Sequence, residues 1–147
     1  MDWPALVRRY VWDEQRTPYL LRAGQLTRAQ GRSELFAYGF FLALLASVAT
    51  VVAALLPGPA GLTASPVMAL YSMSILVGAI ALGAGGYPAA ARYCATAPVA
   101  MALAALTGIL RPDMTGWEIL AVVAVSALWL GYTVRIVRIA RRLHPQD

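Results

Sequence analysis

The uncharged stretch that follows Glu34 constrains this chain more than any other feature of its sequence. From Leu35 to Leu56 the sequence LFAYGFFLALLASVATVVAALL holds no charged residue over 22 positions. At about 1.5 Å per residue, a helix of that length extends roughly 33 Å, and the hydrocarbon core of a bilayer is about 30 Å thick. The stretch therefore predicts a transmembrane helix.

Three further apolar stretches follow, and turn or capping residues bound each of them. Prolines and glycines punctuate the chain after the first and second stretches, and Arg111-Pro112-Asp113 follows the third. Thr27 with Gln30, and Thr115 with Glu118, have the spacing of capping boxes and predict two helix starts. The resulting spans cover about 35–56, 66–86, 88–110 and 116–134.

The composition supports a membrane protein whose single bundle uses nearly the whole chain. Of the 147 residues 60% are apolar and 13% are charged, and the mean hydropathy is +0.64, which is unlike a soluble domain. We predict an all-α polytopic membrane protein with four transmembrane helices at 34–134. An amphipathic cytoplasmic segment at 1–33 precedes them, and a basic cytoplasmic tail at 135–147 follows.

The N-terminal segment places apolar and aromatic side chains at helical spacing, opposite a pair of arginines. Such a segment is suited to the membrane surface, and packing on a partner subunit is the equal alternative. For the second case we expect Trp3, Tyr10 and Trp12 to contact the partner. Further along, Arg28, Arg32 and Glu34 are expected to reach water from the first helical turns of the first span.

The distribution of arginine predicts the orientation. All twelve basic residues are arginines. If the chain crosses the membrane four times, eleven of them fall on one side: six in the N-terminal segment, Arg92, and four in the C-terminal tail. Only Arg111 falls on the other side. This bias places both termini in the cytoplasm, and we expect a bacterial inner membrane. A sequence pI near 9.9 would suggest nucleic-acid binding in a soluble protein, but arginines that flank spans determine topology, and no nucleic-acid partner is expected.

Small residues follow one face of each predicted span. Gly39 and Ala43 belong to such a face in the first span, and Ser74, Gly78 and Gly85 to one in the second. Small faces let helix backbones approach closely. A compact four-helix bundle uses this chemistry, and so does a docking groove for another protein's helix, for which Gly39 and Ala43 are the candidates.

Pro98, near the middle of the third span, predicts a kink. Its ring crowds the preceding turn, and it has no N–H to donate to the carbonyl of Cys94; Thr96 or a neighbouring helix is expected to satisfy that carbonyl. We favour a kink that fits the helix into the bundle, with a cavity beside it as the alternative.

The spans carry few groups for catalysis or ion transport. Ionisable residues are absent from 35–56, 65–87 and 96–110, whereas coupled transport usually requires one deep in the membrane. Glu118 belongs to a capping box, and Arg92 either reaches the headgroups, pairs with Glu34, or binds a lipid phosphate or quinone headgroup. No cofactor, metal site or catalytic residue is predicted, and the chain is not expected to be an enzyme.

Arginines at the cytoplasmic ends of the spans are the candidates for lipid contact. Clustered arginines immediately cytoplasmic of a span attract anionic lipids such as cardiolipin. The candidates for headgroup binding are Arg92, Arg135, Arg138, Arg141 and Arg142.

These observations favour a non-catalytic accessory or assembly subunit of a larger inner-membrane complex of the respiratory or photosynthetic type. Its expected partners are other integral membrane subunits and anionic phospholipids. The alternative is a small oligomeric transporter or channel with Pro98 and Arg92 beside its path. A weaker alternative is a lipid- or quinone-handling enzyme that uses Arg92 and Glu34.

Overall fold

A computed structural model describes residues 26–55, 66–109 and 111–143. Within these ranges the chain forms helices α1 (Arg28–Leu55), α2 (Pro66–Gly85), α3 (Pro88–Cys94), α4 (Thr96–Leu106) and α5 (Gly116–Leu143). Residues 1–25, which include Trp3, Tyr10 and Trp12, lie outside the described residues, as do residues 56–65 and 144–147.

The all-α architecture with four spans is confirmed. Four helical stretches are long and apolar enough to cross a membrane: α1, α2, α3 together with α4, and α5. At about 1.5 Å per residue, the 28 residues of α1 and of α5 extend roughly 42 Å, and the 20 residues of α2 roughly 30 Å.

Both predicted capping boxes form. The Thr27 amide donates to Gln30 Oε1 at 3.0 Å, and the Gln30 amide donates to Thr27 Oγ1 at 3.3 Å. The Thr115 amide donates to Glu118 Oε2 at 2.7 Å, with the Glu118 amide donating to Thr115 Oγ1 at 3.4 Å. Each box satisfies amides that have no partner in the first turn of a helix, which is why α1 begins at Arg28 and α5 at Gly116.

The third span is broken at Ala95, three residues before Pro98. The Ala95 amide lies 3.2 Å from the carbonyl oxygens of both Ala91 and Arg92, so the last turn of α3 tightens as the chain passes into α4. The Thr96 hydroxyl donates to the carbonyl of Tyr93 at 2.8 Å, one residue away from the expected acceptor, Cys94. The predicted kink is present.

Helices α1 and α2 form the most closely packed pair. A Cβ atom added to Gly39 would lie 2.7 Å from the Ala79 carbonyl oxygen and 2.9 Å from the backbone of Gly83. The crossing therefore uses Ala79 and Gly83 of α2, which are not members of the predicted small face. Gly78, which is a member, faces the side chain of Tyr93 on α3 instead.

The core lies toward the start of α1 and the end of α5. These helix ends run side by side, and a Cβ atom on Gly31 would contact Ile139 and Leu143. The last span continues as a helix beyond Val134, as expected, and Ile136, Ile139 and Ala140 of this extension are buried. The buried cluster is completed mainly by residues of α1, α2 and α3, among them Leu35, Leu42, Leu82, Ala91 and Cys94.

The opposite half of the bundle is open. α3 packs against α2 and α5, but α4 packs mainly against α5 and diverges from α1 and α2. The molecule thus consists of two helix pairs, α1 with α2 and α4 with α5, that join at the end carrying the core and separate beyond the break at Ala95.

Candidate functional site

A cluster of polar side chains connects α1 to α5 where the two helix pairs join. Successive turns of each helix present these groups to the other helix, at positions three or four residues apart. We call them the polar cluster: Glu34 and Tyr38 from α1, and Trp129, Tyr132, Thr133 and Arg135 from α5.

An ion pair forms one half of the polar cluster. Arg135 donates from Nε to Glu34 Oε1 at 2.7 Å and from its terminal nitrogen to Oε2 at 3.1 Å, and the Tyr132 hydroxyl donates to Oε1 at 3.3 Å. Glu34 is only 5% exposed, so our expectation that it reaches water is wrong. A carboxylate can be buried here because a bidentate arginine and a phenol replace its hydration.

A closed set of three hydrogen bonds forms the other half. The Thr133 hydroxyl donates to the carbonyl of Trp129 at 2.9 Å, so its oxygen is left to accept the Tyr38 hydroxyl at 2.7 Å. The Tyr38 oxygen in turn accepts the indole N–H of Trp129 at 3.1 Å. The ring centroids of Tyr38 and Tyr132 lie 5.7 Å apart, and this aromatic contact connects the two halves of the polar cluster.

A second pair of links connects α2 to the broken span. Since the Thr96 hydroxyl already donates to Tyr93, it accepts the hydroxyl of Tyr71 at 2.8 Å. Ser74 donates to the carbonyl of Tyr71 at 2.7 Å and accepts the Tyr93 hydroxyl at 2.5 Å. These bonds lie on either side of Ala95 and hold α2 against the third span up to the point where α4 diverges.

An apolar cleft of about 710 Å³ opens between the helix pairs beyond these links. On α1 its lining runs from Phe41 to Ala49, which is roughly 12 Å at about 1.5 Å per residue. The structure therefore has both the kink at Pro98 and a cavity beside the helix that follows, so the cavity alternative is the one observed. Representative lining residues from α1, α2, α4 and α5 are Leu45, Met68, Ile75, Ala97, Ala104 and Leu128.

The polar atoms on the cleft wall are bonded within the protein. Tyr71 donates to Thr96, the Ser72 hydroxyl donates to the carbonyl of Met68 at 2.9 Å, and Trp129 and Tyr132 donate to the polar cluster. The lining includes no ionisable acid or base apart from the tyrosine hydroxyls. The cleft therefore offers a hydrocarbon surface to whatever occupies it.

The predicted headgroup-binding arginines fall into two groups. Arg92 on α3 is exposed, and Arg138, Arg141 and Arg142 on α5 are exposed as well. Arg135 is instead the partner of Glu34, with a side chain that is 21% exposed. Anionic lipid binding by these arginines stays a prediction.

Of the alternatives for Arg92, pairing with Glu34 is not observed. Glu34 lies on the first turns of α1 opposite the last turns of α5, because these two helix ends run side by side, and its acceptor atoms are taken by Arg135 and Tyr132. The two residues that the enzyme alternative combines are therefore not brought together.

The two described docking candidates lie at the α1–α2 crossing or close to it. Gly39 is buried against Ala79 and Gly83, and Ala43 packs against the core. Their small size is thus used within the chain, and a role in binding another protein stays a prediction.

At the end of the bundle where α4 connects to α5, Arg111 forms ion pairs with two acidic residues on the surface. Its guanidinium lies 2.9 Å from both Asp113 and Glu118, and Glu118 also completes the capping box of α5. Among the described residues, no group of three or more histidine, cysteine or acidic side chains could hold a metal ion.

Sequence reasoning missed most of the polar cluster. The available signal was a pair of stripes at helical spacing, Glu34 with Tyr38 and Trp129 with Thr133, at the ends of the first and last spans that share one side of the membrane. An antiparallel pairing of those two helices would have brought the stripes together.

Comparison of the chain with protein-family models, with curated proteins and with solved structures found no match.

Proposed function

We propose that this chain is a non-catalytic accessory or assembly subunit of a larger complex in a bacterial inner membrane, with both termini in the cytoplasm. A respiratory or photosynthetic complex is the expected setting. The observation that carries the proposal is the use of its polar chemistry for holding helices together. Glu34, the one acidic residue buried in the described part of the chain, is fixed by Arg135 and Tyr132 between two helices.

The polar contacts support a scaffold because most of those between side chains join two helices, and the capping boxes fix where helices begin. The polar cluster joins α1 to α5, the hydroxyls of Tyr71 and Tyr93 join α2 to the third span, and the capping boxes begin α1 and α5. In a membrane, bonds of this kind each contribute about 0.6 kcal/mol on average. Together they fix the shape of the bundle and leave its outer faces apolar.

The outer face of α1 is the surface that best suits a partner. The three phenylalanines of the chain all lie on this helix, and Phe36 and Phe40, one turn apart, are 61% and 65% exposed. Leu44 and Val48 continue the exposed stripe. Aromatic side chains are enriched in the contacts between subunits, so we assign docking to this face of the first span together with the N-terminal segment.

Extraction from the native membrane in mild detergent tests the proposal. The chain carries a C-terminal affinity tag, and the band that contains it on a native gel is analysed by mass spectrometry. Co-migration with a large complex at fixed stoichiometry is the expected result. A stable monomer or a small homo-oligomer, with no stoichiometric partner, would contradict it.

Matched variants locate the docking face in the same assay. Replacing Phe36 and Phe40 with Ala removes two exposed aromatic side chains from α1, whereas replacing Leu70 and Ile80 with Ala removes exposed apolar side chains from α2. We expect only the first double variant to be lost from the complex, with both remaining folded. Equal retention of both variants would place the docking face elsewhere.

The apolar cleft favours a second candidate, a small transporter. Its lining suits an apolar solute and offers no charged group to an ion. Flux of an apolar solute into liposomes that contain the purified protein alone, reduced by Ala100→Phe on the cleft wall, would support this candidate over the accessory subunit.

A further inference from the structure

We infer that the apolar cleft between the two helix pairs is a binding site for one acyl chain of a bilayer phospholipid. The inference does not depend on the proposed function, since a subunit of a complex and a protein that works alone could each hold a lipid there.

The chemistry of the lining selects a hydrocarbon occupant. Water in a protein cavity requires two to four polar partners, and the polar atoms on this wall are already bonded to other protein atoms. The donors on this wall are thus already used within the protein, and the cleft presents mainly hydrocarbon to an occupant. The volume of about 710 Å³ lies within the range of roughly 300–1,000 Å³ that is typical of ligand pockets.

The height of the cleft is close to half of the thickness of the hydrocarbon core. Its lining starts at Phe41, halfway along α1, and continues to Ala49 toward the loop end. This distance of roughly 12 Å is close to half of the hydrocarbon thickness of about 30 Å. The predicted span 35–56 has its midpoint near Leu45, so the lining on α1 lies around the bilayer centre, which is where acyl chains end.

The closed end of the cleft disfavours a helix as the occupant. Trp129 and Tyr132 form part of its wall and are bonded to Tyr38 and Glu34 across the gap, and Tyr71 is bonded to Thr96. A transmembrane helix of about 20 residues needs a groove along the whole span. An acyl chain whose end enters the cleft near the bilayer centre needs only this partial groove.

The test uses the purified full-length protein in nanodiscs of phosphatidylethanolamine and phosphatidylglycerol. A small fraction of the phosphatidylethanolamine carries a diazirine in the middle of its acyl chain, and the cross-linked residues are mapped by peptide mass spectrometry. We expect adducts at Ala97, Ala100 or Ala104 in excess over Leu103, which is exposed on α4 but not part of the cleft wall.

Filling the cleft provides the matched comparison. Ala100→Phe places a large side chain on the cleft wall, and Ala127→Phe places the same side chain at an exposed position of α5 that does not line the cleft. We expect Ala100→Phe to reduce cleft adducts at least about tenfold, equivalent to about 1.4 kcal/mol, and Ala127→Phe to leave them unchanged. Ala104→Leu, a smaller change at the same wall, replaces Ala100→Phe if that variant does not fold.

Three results would overturn the inference. The first is equal cross-linking of cleft residues and Leu103, which would mean ordinary contact with bulk lipid. The second is unchanged cleft adducts in folded Ala100→Phe or Ala104→Leu. The third comes from native mass spectrometry of the protein extracted from its own membrane. It is an isoprenoid or a polypeptide that is retained by the native protein and lost from Ala100→Phe, with no phospholipid that behaves in this way.

Discussion

At the scale of single residues, Glu34 shows how this membrane protein tolerates a buried charge. Moving a carboxylate out of water is costly unless another charge and hydrogen bonds compensate for its hydration. Arg135 and Tyr132 supply three hydrogen bonds to its two oxygens. Because Arg135 remains 21% exposed, part of the pair's interaction is screened by solvent, and the pair is expected to be weaker than a fully buried one.

Removing one member of this pair is expected to cost more than removing both. Glu34→Leu removes the carboxylate that accepts two hydrogen bonds from Arg135 and should destabilise the protein by about 1–3 kcal/mol. Glu34→Leu combined with Arg135→Leu should recover part of that loss. Unfolding in detergent, followed by circular dichroism, measures both, and Arg138→Leu at an exposed position is the control. If the double variant is no more stable than Glu34→Leu alone, the expected recovery is absent and the prediction is contradicted.

Removing either of two buried hydroxyls on α5 is expected to change the stability of the protein, in opposite directions for the two. Thr133 donates to Trp129 and accepts from Tyr38, so Thr133→Val should cost about 1–2 kcal/mol. Ser126 is 3% exposed, and its hydroxyl has no partner among the described residues, so Ser126→Ala should leave stability unchanged or raise it by up to about 1 kcal/mol. The same unfolding assay measures both variants. Destabilisation by Ser126→Ala would mean that its hydroxyl has a partner in the membrane.

At the scale of helices, the closest contact in the bundle is the crossing of α1 over α2. Lipid tails are as apolar as the helix surfaces, so helices in a membrane associate through close packing and hydrogen bonds rather than through hydrophobic burial. A methyl group on Gly39 would lie 2.9 Å from the backbone of Gly83, so α1 has no room for a side chain at this position. This contact fixes the α1–α2 pair on which the rest of the bundle is assembled.

Gly39→Ala is therefore expected to destabilise the bundle, and Gly131→Ala is the matched control. The new methyl group at Gly39 would meet backbone atoms of Ala79 and Gly83, which cannot rotate away, at a cost of about 1–3 kcal/mol. At Gly131 the space within 4 Å is empty, and alanine should stabilise α5 by up to about 1 kcal/mol through its helix propensity. Thermal unfolding in detergent compares the two. Equal effects would mean that the α1–α2 crossing is looser than the structure has it.

Local sequence signals predicted where the helices begin and break, but they did not predict which helix faces pack against each other. The capping boxes at Thr27 and Thr115 and the break before Pro98 depend on residues a few positions apart, so the chain itself contains the information. The residues that a helix face packs against can lie far away in the chain, so a short stretch of sequence does not identify them. Small residues occur on more than one face of α2, so the sequence could not single out Ala79 and Gly83, and Glu34 bonds to a residue 101 positions away.

At the scale of the whole molecule, the two halves of the bundle differ in packing and in charge. The half with the start of α1 and the end of α5 holds the core, the polar cluster and most of the described arginines. The other half holds the apolar cleft, and its described arginine, Arg111, is paired with Asp113 and Glu118. The orientation predicted from the arginine distribution would place the packed half at the cytoplasmic surface, and this orientation stays a prediction.

Cysteine accessibility in whole cells tests that orientation. The only native cysteine, Cys94, is buried, so single cysteines can be placed in a Cys94→Ala background at two exposed turn positions. Asp113→Cys samples the α4–α5 connection, and Tyr87→Cys samples the α2–α3 turn. Since eleven of the twelve arginines are assigned to the cytoplasmic side, a membrane-impermeant thiol reagent should modify Asp113→Cys in intact cells. Tyr87→Cys should react only after the cells are opened. The reverse pattern would mean an inverted bundle, and modification of both positions in intact cells would contradict the four-span topology.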